Sequence, residues 1–269
     1  MTAGGTDPSR RRLLATGLGL AVAACGSGSR GGSAAPGTAT PANSSTIIPP
    51  ATADAPSTAP PPAGMADGPA RFLQYGPASS GAVALTFHVA GDPAAARRLF
   101  DEAGRLQVPL TLFLVGTFVT ANSAYVADLA KAGHEVANHT ASHPTLGRLG
   151  ASAVAAEVRG CRDALVAATG QAGRWFRPSG MDIATPLVLE QAGRAGYATV
   201  VGYDLDPHDY QDPGAAAVVE RVRTGLHPGA IVSMHTAHEG TVAALPDVVA
   251  AVRAAGLRLV TVGDLLGPG

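Results

Sequence analysis

Two histidines four residues apart, His139 and His143 in the stretch NHTASHP, are spaced like a pair of metal ligands. On a helical turn such a pair faces the same way, and two imidazoles so placed hold Zn²⁺ at about 2.0–2.1 Å. Pro144 disfavours further helix and opens the loop. A third histidine, His88, directly follows the apolar run in ALTFHVAGDP, where a buried strand gives way to polar, glycine-rich chain. A catalytic metal of this kind takes three protein ligands and leaves a position open for water. Asp92 could be the third if the intervening VAG forms a tight turn, which Gly91 permits, with His88 left as general base. His88 could instead ligate, giving three imidazoles, with Asp92 as the base. Asp92 directly before Pro93 also suits the N-cap of a helix.

What must position these groups is a chain that alternates from Val83 onward. The runs AVALTF, LTLFLV, HEVAN, WFRP, ATVVGYD, AIVSMH and LRLVTV read as short strands. Between them the apolar spacing predicts helices over 94–104, 123–132, 151–169, 186–195, 215–225 and 246–255. Alternation of this kind argues for an α/β fold with a parallel sheet and crossover helices, and its repetition favours a (β/α) barrel over an open sheet. Nearly every strand candidate runs at its C-terminal end into a reactive residue: His88, His139, Arg177, Asp206 and His235. The βα loops of such barrels converge on that face, so these residues are expected to meet.

Five ordered motifs then carry a family resemblance: LTF followed by a polar cluster, HTASHP, FRPSG, DPHDY and SMH. From Ala82 to the C-terminus the chain resembles the NodB-homology polysaccharide deacetylases, the fourth family of carbohydrate esterases. The resemblance implies a distorted (β/α) barrel that uses a divalent metal, zinc or else Co, Ni or Mn, to hydrolyse N-acetyl groups of amino-sugar glycans, or sometimes O-acetyl groups. It implies that Arg177 orients the base, that Asp206 holds His235, and that His235 protonates the departing amine. It also places backbone N–H groups around Ser179 and Gly180 as oxyanion donors. The first motif departs from the family pattern, in which one aspartate is the base and the next a metal ligand. Here those positions are His88 and Val89, and valine ligates nothing. His88 thus stands where the family has its base, which favours Asp92 as third ligand. Ser179 replaces an aromatic or proline, and Tyr210 a tryptophan. A glycan-binding protein that kept the barrel and lost the metal site is the rival reading.

The rest of the chain bounds the setting. Arg10 to Arg12, an apolar run from Leu13 to Ala24 and then Cys25 read as an export signal over residues 1–25. The run is well short of the roughly 20 apolar residues that a membrane span needs. Its twin arginines and the stretch from Val22 to Cys25 resemble a lipoprotein signal, with Cys25 lipidated. Residues 26–67, rich in Ala, Pro, Ser, Thr and Gly, read as a tether, and 68–269 as the folded domain. Fully stretched, about forty tether residues reach ~130 Å, enough to hold a domain off the outer face of a membrane. Net charge is −1 and no basic cluster recurs in the domain, so nucleic acid is an unfitting partner. An acetylated glycan, a membrane reached through the anchor, and a monomeric state complete the expectation. The only other cysteine, Cys161, shares a helical face with Val154, Val158 and Leu165 and is read as a small buried hydrophobe.

Overall fold

The computed structural model describes residues 68–267; the signal, Cys25 and the tether lie outside the described residues. Seven strands and eight α-helices follow in the order β1 (Arg71–Leu73), β2 (Ala82–Val89), α1 (Pro93–Arg105), β3 (Thr111–Leu114), α2 (Gly116–Ala121), α3 (Ser123–Lys131), β4 (Glu135–Asn138), α4 (Ala151–Thr169), α5 (Pro186–Arg194), β5 (Thr199–Val201), α6 (Ala215–Gly225), β6 (Ile231–His235), α7 (Glu239–Ala254), β7 (Arg258–Val260) and α8 (Val262–Leu266). Every strand pair is parallel: β4, β3, β2 and β6 lie side by side, β7 also pairs β2, and β1 pairs β5. Phe176 forms parallel bridges to both Asn138 and Val200, and Leu205 to Val232, linking the two sheets into a distorted barrel.

Strand alternation decides which residues face the barrel interior. Along β2, Val83, Leu85, Phe87 and Val89 enter the apolar layer shared with the helices. Ala82 and Ala84 face the opposite way, onto Phe113, Trp175, Val201 and Ile231. Thr86 and His88 continue that inner face. On β6 the same alternation sends Val232 and Met234 outward and Ile231, Ser233 and His235 inward. The register pairs His88 with His235, so the two imidazoles emerge side by side at the strand ends. Because β2 stays regular through Val89, which pairs with Leu114, the Val89 side chain is buried in the outer core.

Cys161 lies fully buried on α4 beside Leu165, and its Sγ–H donates to Leu114 O at 3.1 Å. Burial pushes its thiol up to about 12. One helix differs from its expected bounds. The proline at 246 suggested a first turn, yet α7 begins at Glu239 and runs through Pro246. Burial of Thr241, Ala244 and Leu245 on its early turns offsets the missing amide donor. The short elements β1, α2 and α8 lack enough residues to show a period, and the sequence did not announce them.

Candidate active site

Four imidazoles converge at the strand ends. Ring centres of His88 and His139 are 4.3 Å apart, those of His88 and His235 4.5 Å, and those of His139 and His143 4.9 Å. Three of them border a cleft of about 320 Å³ lined by His88, His143, Gly180, Tyr203, Asp206 and His235 among others, and His139 lies buried behind it.

His139 follows the last residue of β4 and is fully buried. Its Nδ1–H donates to Arg177 O at 2.9 Å, which fixes Nε2 as the nitrogen with the lone pair. That Nε2 is buried and has no hydrogen-bond partner among the described residues. An unpaired lone pair backed by an N–H bonded to a carbonyl is the arrangement of a metal-ligating histidine. His143 reaches the same place by a different route from the one expected. The segment between them is not a helical turn; Thr140 (φ 70°) and His143 (φ 62°) take left-handed backbone angles. Local hydrogen bonds hold this otherwise costly loop. Asn138 Oδ1 accepts from Thr140 N at 2.9 Å, Thr140 Oγ1 from His143 N at 3.2 Å, and Glu157 from both N and Oγ of Ser142.

The third ligand is where expectation and structure part. Asp92 is exposed and caps α1, its Oδ1 accepting from Ala94 N at 2.9 Å; it does not line the cleft. The tight turn that would have carried it inward does not form, because β2 runs straight to Val89 and Asp-Pro starts the helix. His88 does not fill the gap, since its Nε2 lies 3.1 Å from Arg177 Nη1, a group that only donates. Two imidazoles, His139 and His143, therefore fit a divalent ion. Among the described residues no cluster of three His, Cys, Asp or Glu side chains completes the set.

Arg177 is 1% exposed and has no carboxylate partner among the described residues. Its Nε donates to Val201 O at 3.0 Å, Nη2 to Gly202 O at 2.8 Å, and Nη1 to Thr86 Oγ1 at 2.8 Å as well as to His88. Its guanidinium also lies over the Phe113 ring, 3.9 Å from the centroid. Burial lowers its pKa to about 9.

The partner of His235 is Asp209, not Asp206. Asp209 is 1% exposed; its Oδ1 accepts from His235 Nδ1 at 2.8 Å, and its Oδ2 from His235 N at 2.7 Å and Thr241 Oγ1 at 2.6 Å. Burial alone would raise its carboxyl, but the bonds from His235 and Thr241 outweigh this and hold it below the usual range. Asp206 closes a local turn instead, accepting from His208 N at 2.7 Å, and remains on the cleft wall. The turn-rich stretch holds four aspartates, Asp204, Asp206, Asp209 and Asp212, that composition does not rank. The left-handed residue His208 (φ 51°) turns Asp209 inward. Ser179 is buried behind the cleft, where its hydroxyl donates to Pro144 O and accepts from Thr140 Oγ1 at 3.0 Å. Gly180 lines the cleft at φ 64°, and a Cβ there would stand 2.9 Å from Thr145 Cα.

Burial, reinforced by His139 and Arg177, holds His88 well below its ordinary pKa, and burial with His143 does the same to His139. Both imidazoles take a proton more readily in the unfolded chain. Stability is therefore full above about pH 6.5 and lost as pH falls below it. In chelator, the melting temperature is expected to drop between about pH 7 and pH 5. His139→Gln should make that slope shallower, and thermal melts across the range check it.

The family model described as polysaccharide deacetylase matches residues 75–200. The chain is 35% identical over 153 residues to a chitooligosaccharide deacetylase of Bradyrhizobium sp. (strain ANU 289), covering 57% of this chain and 69% of that one. It is 30% identical over 194 residues to a peptidoglycan-N-acetylglucosamine deacetylase of Bacillus cereus, covering 68% and 87%. Among solved structures it resembles a CE4 family pseudoenzyme from Bacillus anthracis, with a TM-score of 0.67, 27% identity, and 73% and 69% of the two chains covered. The parallel barrel, the motif residues gathered at one end of it, and relatives of this identity and coverage lead to one conclusion: the chain belongs to the polysaccharide deacetylase family, carbon–nitrogen hydrolases of carbohydrate esterase family four.

Proposed function

We propose that the protein removes acetyl groups from the amino sugars of an acetylated glycan such as peptidoglycan or a chitin-like polymer. The observation that carries this is the convergence of the Asp209–His235 pair with the unpartnered His139 Nε2 at one cleft. Asp209 fixes His235 with its Nδ1–H inward, which leaves Nε2 to deliver a proton to the amide nitrogen as the C–N bond breaks. Tyr210, 45% exposed with its ring 5.4 Å from that of His235, offers an apolar face to a sugar ring. Gly180 borders the same cleft, and its backbone N–H would serve a developing oxyanion there.

His139 and His143 would hold a divalent ion, zinc being suited to two imidazoles. Such an ion would polarise the acetyl carbonyl as a Lewis acid. Saturable Zn²⁺ binding, measured by titration calorimetry, is expected in the wild type and absent in His139→Ala. The far-ultraviolet circular dichroism of that variant should stay unchanged, because only a strand-end side chain is removed.

The first motif supports a second reading. With His88 and Val89 standing where the family has its two aspartates, and Asp92 spent on a helix cap, no carboxylate of the first motif reaches the site. A glycan-binding protein without turnover would look like this too, and a family member of similar fold is described as a pseudoenzyme. Acetate released from N-acetylated chito-oligosaccharides by the purified, zinc-supplied protein decides between them. Glycan binding without acetate release would establish the second reading.

Export and lipid anchoring at Cys25 complete the proposal, which places the enzyme at the outer face of the membrane; it rests on the N-terminal sequence. Among the described residues no helix is long and apolar enough to cross a membrane. Cys25→Ala is expected to move the protein from the membrane fraction to the soluble one, and unchanged fractionation would remove the anchor.

A further inference from the structure

Which imidazole can accept a proton depends on what already occupies its lone pair. A neutral imidazole has one N–H and one lone pair, whereas a guanidinium has only donors. The 3.1 Å contact from Arg177 Nη1 therefore makes His88 Nε2 the acceptor and leaves the ring hydrogen on Nδ1. Arg177 cannot swing away to release it. Three of its other four N–H groups are tied to Val201 O, Gly202 O and Thr86 Oγ1, and the Thr86 hydroxyl is itself spent on Val232 O at 2.6 Å. Ser233 Oγ, at 3.3 Å, crowds the same nitrogen from β6. His88 Nδ1–H has no acceptor among the described residues, and the ring lines the cleft.

His235 has the opposite arrangement. Its Nδ1–H is bonded to Asp209, so its Nε2 lone pair is free, and a buried carboxylate stands behind to stabilise the imidazolium that a proton would create. His139 has committed its N–H to Arg177 O, and its lone pair belongs to the ion-binding position. His143 has no carboxylate behind it among the described residues.

We infer that His235 Nε2 carries the proton in both directions, as base and then as acid, and that His88 is a fixed hydrogen-bond donor instead of the base its place in the first motif suggests. This rests on the deacetylase reading. In the first step His235 Nε2 takes a proton from the attacking water as its oxygen bonds to the acetyl carbon. The carbonyl oxygen gains the electron pair and accepts from His88 Nδ1–H. Collapse restores the carbonyl, breaks the C–N bond and passes the proton from His235 Nε2 to the leaving nitrogen, giving a free amine and acetic acid. The paired register of β2 and β6 holds the two rings 4.5 Å apart, close enough to act on one acetyl group.

The tautomer is directly observable. Long-range proton–nitrogen spectra of the ¹⁵N-labelled full chain are expected to show His88 as the Nδ1–H form, and the Nε2–H form would overturn the inference. A pair of substitutions gives the second readout. His88→Asn keeps an amide N–H near Nδ1 but has no basic lone pair, whereas His88→Asp supplies a carboxylate base and no donor. Acetate release should fall about 10²–10³-fold in His88→Asp, the effect of losing one oxyanion donor, and less than about tenfold in His88→Asn. The reverse ranking would make His88 the base. Absence of acetate release in the wild type would sink the deacetylase reading and with it the catalytic roles, while the spectrum would still read the tautomer by itself.

Discussion

Acetate release by Asp209→Asn is expected to fall by about 10³–10⁴, the scale seen when the carboxylate behind a catalytic imidazole becomes an amide. Asp209 accepts three hydrogen bonds, two of them from His235. An amide must turn an N–H toward one of those donors, so His235 loses its orientation or takes the other tautomer, with the lone pair facing inward. Asp206→Asn is the control, because that carboxylate serves His208 and not His235. It should change the rate by less than about tenfold, through substrate contact alone. A larger loss for Asp206→Asn than for Asp209→Asn in steady-state assays would reverse the assignment.

Arg177→Met should be the most destabilising substitution in the site. Methionine fills part of the volume but donates nothing, stranding the carbonyls of Val201 and Gly202 away from water and taking the donor from His88 Nε2, while the Thr86 hydroxyl keeps its bond to Val232 O. Each unsatisfied buried group costs about 1–3 kcal/mol, so a total of roughly 3–5 kcal/mol follows once relaxation is allowed for. For a domain of this size each kcal/mol moves the melting temperature by about 2–4 °C, which gives a drop of roughly 6–20 °C. Losing a buried cation removes its own desolvation cost, which sets the lower end of the range. A shift under about 3 °C would show that the guanidinium network contributes little.

The parallel barrel was legible because its evidence is periodic. The limits of α4 and α6 coincide with those read from apolar spacing, and the alternation of strand and helix dictated parallel pairing. The convergence of His88, His139, Arg177 and His235 was legible for the same reason, since each lies at the end of a strand or just past a strand or bridge, and His143 is carried on the loop that follows His139. Partner choice was not. Whether Asp206 or Asp209 meets His235 depends on one left-handed residue, His208, in a turn whose four aspartates look alike in sequence. Asp92 offered two roles from one local pattern, and the structure gives it the local one, because a cap needs only the next two residues whereas ligation needs a reversal of the strand. Asn138, which holds Val158 O, Tyr197 and the loop that carries both candidate ligands, left no signal beyond being polar at a strand end.

In the proposed reaction His235, held by Asp209, carries the proton of an acetyl hydrolysis in this cleft. Parallel time courses of acetate release from N-acetylated chito-oligosaccharides, with wild type and His235→Ala at equal zinc and equal glycan saturation, test it most directly. Steady release by the wild type is expected, with a loss of about 10²–10⁴ in His235→Ala and glycan binding retained. Equal rates in the two proteins, or no release from either, would contradict it.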